Sequence, residues 1–202
     1  MFFSQLALLL FKLFFIMIQN ERDIRRELVI QACKQMMVAA RTAPKGKGID
    51  ILEMAVVTGD DDLNRLSEEM LKVSEEKGLK FFIRDAENIL LADAIMIIGT
   101  RQQPHGLNCG HCGFATCDCK PADIPCALNM MDLGIAIGSA CATASDLRVD
   151  TRVMFSAGFA AQRLNMLGDG CERIMAIPVS ATSKNPFFDR KAKEQEKQPL
   201  EK

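Results

Sequence analysis

Behind Asn20 the chain sets Ile24, Leu28, Ala32, Met36 and Ala40 at every fourth position, with polar residues between them. That spacing predicts an amphipathic helix with one apolar face. Asn20 is a good capping residue, and Glu21 and Asp23 favour the positive end of a helix. Pro44 and the glycines of the Thr42–Gly48 segment end the helix in a loop. Ile51 to Thr58 reads as a strand, Gly59 to Asp62 as a turn and cap, and Leu63 to Glu76 as a helix with Leu63, Leu66, Met70 and Val73 facing inward. Phe81 to Ile83 predicts a short strand, and the apolar run Ala94 to Gly99 a buried one. A helix is expected from about Met130 to Leu147. Its Gly134, Ala136, Gly138, Ser139, Ala140, Ala142 and Ala144 permit close approach of a second helix or of a ligand. Asp150 is expected to cap a helix through Thr151 to Met166, and Arg173 to Ser180 to form a last strand. Pro178 in that strand lacks an N–H and points to an edge or strand-end position.

Alternation of helices and strands predicts an α/β (α+β) fold, a mixed sheet flanked by helices. The 202 residues suit one domain with an inserted module. The divisions read as an apolar extension over 1–16, halves of the α/β domain over 17–100 and 130–190, a cysteine module over 101–129, and a charged tail over 191–202. Phe2 to Ile18 is almost wholly apolar, lacks the basic start and cleavage site of a signal peptide, and is short for a membrane span. It reads as an upstream extension, a membrane-associated helix or a buried helix. A net charge of −1, no Trp and no Tyr argue against a nucleic-acid partner. Neither a phosphate-binding glycine loop nor a Ser/His/Asp nucleophile pattern is present.

Candidate chemistry sits in the inserted module. Five of the eight cysteines lie between Cys109 and Cys126. Cys109, Cys112 and Cys117 form a C-x2-C-x4-C core; Cys126 or Cys119 closes the set, with Cys126 favoured. Thiolates so spaced hold an iron–sulfur cluster or zinc. The lack of two C-x2-C pairs argues against a zinc ribbon. Gly110 and Gly113, each after a ligand, let the backbone turn and bring N–H groups near sulfur. His111 reads as a solvent-facing loop residue. Cys33, Cys141 and Cys171 are scattered singly, so a disulfide framework is not expected, and the protein is expected to be cytoplasmic.

The run C-G-x-C-G-F-x-x-C resembles the 4Fe-4S domain of electron-transfer complex subunits and corrinoid iron–sulfur proteins. Residues 17–190 also resemble a prokaryotic family of ferredoxin-domain-containing proteins. That likeness rests on Ala39–Gly48, the cysteine run, Asp132–Ala140, Asp146–Asp150 and Lys184–Arg190. The order of elements from Ala39, with its A-A-R-T-A-P loop, resembles FMN-dependent nitroreductases. That resemblance implies a nitroreductase-like architecture, a homodimer, and FMN contacts near Arg41, Thr42, Lys45 and Lys47. The nitroreductase loop's Ser and Asn and its arginine-rich opening are absent.

Together these readings imply a 4Fe-4S electron-transfer protein acting with a redox partner protein or a small-molecule acceptor, with a flavin-linked oxidoreductase as its enzymatic form. A non-enzymatic redox or iron sensor and a zinc-stabilised structural protein are the alternatives.

Overall fold

The computed structural model describes residues 18–188. The expectations attached to residues 1–16 and 191–202 lie outside this range. In chain order the elements are α1 (Glu21–Thr42), β1 (Leu52–Val57), α2 (Asp60–Lys77), α3 (Phe81–Ile89), β2 (Ala94–Arg101), α4 (Ala127–Asp146), β3 (Asp150–Thr151), α5 (Phe155–Arg163) and β4 (Cys171–Ser180). A short 3-10 turn, Gly46–Gly48, follows α1. The strands form one sheet in the order β1-β2-β4-β3. Every pairing is antiparallel, where the sequence suggested a mixed sheet.

Strand β2 explains the layering. Its side chains alternate across the sheet. Ile95 and Ile97 join a core with Leu66, Met70, Phe82, Ala157 and Ala161 of α2, α3 and α5. Ala94, Met96 and Ile98 join a second core with Val29, Cys33 and Met36 of α1 and Leu133, Ala136 and Ala140 of α4. The sheet is therefore covered on both faces, and its central strand is apolar from Ala94 to Gly99 and buried as far as Thr100.

Several elements differ from the sequence expectation. The α1 face consists of Val29, Ala32, Cys33, Met36 and Ala40, while Leu28 is 52% exposed. A strict four-residue spacing drifts by about 40° per step on a helix of 3.6 residues per turn, so it cannot hold one face for long. The segment from Phe81 is helix α3 rather than a strand. Phe82, Asp85, Ala86 and Ile89 are buried at helical spacing, a pattern a three-residue window does not reveal. Asp150 starts β3 instead of capping a helix, and α5 begins only at Phe155. Pro178 lies in β4 between two paired strands. Its missing N–H costs nothing there. It falls between the Thr151–Val179 pair and the Met154–Ala176 bridge, where the neighbouring strand is interrupted.

The loop from Gln102 to Pro125 leaves the end of β2 and returns to the start of α4. This places the cysteine module at one end of the sheet, between its most buried strand and the helix packed on it.

Candidate metal centre

Within this loop the backbone turns where the sequence put glycine. Gly110 and Gly113 have φ of 71° and 86°, and the Gly113 N–H donates to the Gly110 carbonyl at 2.8 Å. This tight turn presents Cys112 beside Cys109. The Asn108 side chain accepts the Cys117 N–H at 2.8 Å, tying the third cysteine to the first. Lys120 donates to the carbonyls of Pro121 and Ile124 and holds the chain as it bends toward α4. Cys126 is the residue before the first turn of α4, and its carbonyl accepts the Met130 N–H. Its sulfur therefore sits at the positive end of a 20-residue helix, which favours a negatively charged ligand set.

Cys109, Cys112, Cys117 and Cys126 line one narrow pocket, together with Phe114 and Lys120. Cys119 does not line it. It is exposed and accepts the Thr116 hydroxyl at 3.1 Å. His111 faces solvent, with Nδ1 3.1 Å from the Cys109 carbonyl. Among the described residues no three His, Cys, Asp or Glu side chains converge closely enough to hold a single ion.

The four residues of the suggested flavin loop are occupied by the chain itself. The Lys45 side chain is 5% exposed, and its ammonium donates to the carbonyls of Ala40, Arg41 and Ala43 at the end of α1. All three of its N–H groups are thereby used. Arg41 pairs with Asp50 at 2.9 Å and donates to the Leu52 carbonyl. Partial burial pushes the Asp50 carboxyl up. The Arg41 guanidinium and the Leu52 N–H outweigh this and hold it below the usual carboxylate range. Thr42 donates back to Val38, and Lys47 to the His105 carbonyl at 3.1 Å. These residues stabilise a helix end and a turn, and as placed they do not fit a phosphate clamp.

Sequence reading missed a buried node next to the module. Asp132 of α4 accepts the Gly46 N–H on both carboxylate oxygens at 3.0 Å and lies 2.8 Å from Nε2 of His105. Both side chains are nearly inaccessible. The node ties the Gly46 turn, the base of the cysteine loop and α4 together. An aspartate in the otherwise apolar run Met130 to Ile137 was the available signal, since such a group needs partners when buried. Asp132→Ala strips two buried donors of their acceptor and is expected to cost about 3 kcal/mol. Asp132→Asn, which keeps one oxygen, should lose clearly less. Urea unfolding of the two variants measures the difference, and equal losses would show that the hydrogen bonds do not carry the effect.

Comparison with other proteins places the chain. A family profile described as an uncharacterized protein containing a ferredoxin domain matches residues 122–190. An uncharacterized protein of Archaeoglobus fulgidus is 40% identical over 187 residues, covering 88% of this chain and all of the relative. Among solved structures, a nitroreductase family protein from Clostridium novyi matches with a TM-score of 0.55 at 12% identity, over 75% of this chain and 73% of the other. An FMN-bound nitroreductase from Desulfitobacterium hafniense matches with a TM-score of 0.55 at 14% identity, over 77% and 80%. A BluB-like flavoprotein from Clostridium difficile matches with a TM-score of 0.55 at 18% identity, over 81% and 84%. At such identities the likeness is one of fold, and it agrees with the nitroreductase-like architecture read from the sequence. With a cysteine pocket at the end of a nitroreductase-like sheet, and a full-length relative at 40% identity, the chain belongs to the family of proteins containing a ferredoxin domain.

Proposed function

We propose that this protein is an electron-transfer protein carrying a 4Fe-4S cluster on Cys109, Cys112, Cys117 and Cys126. The observation that carries the reading is the pocket lined by these four cysteines and not by Cys119. A Cys₄ donor set suits such a cluster. The pocket is narrow, and seating a cluster would require the exposed loop to move outward. The cluster would supply one-electron chemistry. The chain's own residues set its surroundings: the Gly110–Gly113 turn fixes two sulfurs, Phe114 covers one side, and the N-terminus of α4 and Lys120 offset negative charge. The donor set would also take zinc, which makes metal analysis the deciding measurement. Anaerobically purified protein should be brown and hold about four irons and four sulfides, the composition of a Cys₄ cluster of this type. A colourless protein with stoichiometric zinc overturns the proposal. Flavin is not assigned to the Arg41–Lys47 loop, because its cations are already engaged.

Thiol labelling gives a second check. Burial pushes Cys33 up to about 12 and Cys171 up to about 11, so neither offers appreciable thiolate at neutral pH. Cys109 and Cys119 are exposed. Iodoacetamide is expected to label Cys119 in the cluster-loaded protein, and Cys109 only after the cluster is removed. Protection of Cys119 by the cluster would move the fourth ligand there.

We also infer a homodimer. Helix α4 has a mean hydropathy of 1.3 and is long and apolar enough to cross a membrane, yet it packs on the sheet and carries the buried Asp132. Its other face leaves Met131 50% and Ile135 47% exposed, beside Gly138 and Ala142. A second copy of the chain would cover this face. Light scattering should give twice the chain mass, and Ile135→Glu should return the monomer; a monomeric wild type excludes the dimer.

A further inference from the structure

We propose that the cleft between α4, α5 and the start of β4 binds an apolar aromatic carboxylate, with Arg173 as its counter-charge. The cleft encloses about 390 Å³, a size ordinary for small-molecule sites. Met130, Gly134 and Ile137 of α4 form one wall, and Phe155 and Phe159 of α5 another. The two rings stand 5.7 Å apart at 52°, an arrangement that offers both a face and an edge to a flat guest.

Arg173 is unusual in three independent ways. Its φ is +55°, a left-handed conformation that a residue with a Cβ adopts only under constraint. It sits at a β-bulge, where Arg173 and Ile174 of β4 lie opposite the single Gly99 of β2. Such bulges re-aim side chains and are frequent beside functional sites. Its Nε is buried and has no hydrogen-bond partner. The rest of the residue is well anchored. The backbone N–H donates to the Gln162 side chain at 2.9 Å, and Nη2 donates to the Asp123 carbonyl of the cysteine loop at 3.0 Å. Nε is thus left unpaired on a residue that lines the apolar cleft, and a carboxylate is the group that satisfies a guanidinium best.

Arg173 also lines the neighbouring slot, with room for about one water, that reaches Cys126. There the Oδ1 atom of Asn129, a residue 2% exposed, likewise lacks a partner. Arg173 therefore connects the ligand's cleft with the slot that the fourth cysteine lines. Its role as the place where an electron acceptor docks rests on the cluster reading; the binding itself does not.

The test uses 1-naphthoate and its uncharged analogue 1-naphthamide, titrated calorimetrically into cluster-loaded full-length protein. The acid should bind at least tenfold more tightly than the amide. Arg173→Gln should remove that preference while leaving the amide's affinity as it was. A Cβ at Gly134 meets no atom within 4 Å, so Gly134→Leu is accommodated by the helix and fills the cleft; it should abolish binding of both. Equal affinity for acid and amide in the wild type, no binding, or binding untouched by Gly134→Leu would each overturn the inference. Iron and sulfide assayed in the same samples separate the two proposals. Binding without a cluster leaves the cleft standing and removes its redox role, whereas a full cluster without binding removes the cleft alone.

Discussion

On the proposed cluster assignment, Cys126→Ala is expected to strip iron and sulfide from the protein, and Cys119→Ala to leave both in place. The two thiols differ in position rather than in chemistry. Cys126 is held at the start of α4, is 9% exposed, and lines the pocket with the other three cysteines. Cys119 points away, exposed, toward Thr116. A cluster with one thiolate removed exposes an iron site to solvent and to loss, and helix α4 cannot bring another sulfur to that corner. Cys109→Ser and Cys112→Ser should bleach the protein for the same reason, because the Gly110–Gly113 turn fixes their sulfurs as a pair. The measurement is iron and sulfide content with the visible spectrum, taken anaerobically for each variant. Loss in Cys119→Ala with retention in Cys126→Ala would reverse the assignment. Retention in both single variants with loss in the double would mean that the exposed loop swings either thiol into place.

The grouping of Cys109, Cys112, Cys117 and Cys126 about one pocket was legible because their spacing and the two glycines lie close together along the chain. Strand β2 was legible for a related reason: a strand covered on both faces is apolar whatever surrounds it, as Ala94 to Ile98 is. What the sequence concealed is non-local. Asp132 meets Gly46 across 86 residues and His105 across 27, and no periodicity announces such partners. Lys45 looked like a free cation in a glycine-rich loop, but the carbonyls at the end of α1 occupy it, and every helix end offers such acceptors. Arg173 gave no signal at all, since a bulge depends on how two strands register. The small residues of α4 divide in a way that spacing alone does not decide. Ala136, Ala140 and Ala144 are buried against the core, whereas Gly134, Gly138 and Ala142 face outward.

Two glycine-to-alanine substitutions, both inside helices, should act in opposite directions. Gly158→Ala in α5 places a Cβ 2.1 Å from the Ile174 carbonyl oxygen and 2.6 Å from the Met175 Cα. Both atoms belong to the backbone of β4, so no side chain can rotate out of the way. Helix α5 must then lift from the sheet, opening the core that Ala157 and Ala161 share with Phe82 and Ile97. The expected loss is about 3 kcal/mol, the upper end for overpacked cores. For a domain of this size that lowers Tm by roughly 6–12 °C. Gly134→Ala in α4 meets nothing within 4 Å, so it should gain up to about 1 kcal/mol from helix propensity. Thermal melts of the two variants beside the wild type test the pair. Function should follow the same geometry. Lifting α5 withdraws Gln162, whose side chain holds the Arg173 N–H, so Gly158→Ala should weaken naphthoate binding while leaving the four-cysteine pocket in place. A Gly158→Ala protein as stable as the wild type would mean that α5 does not rest on β4. The cleft between them would then lose its wall.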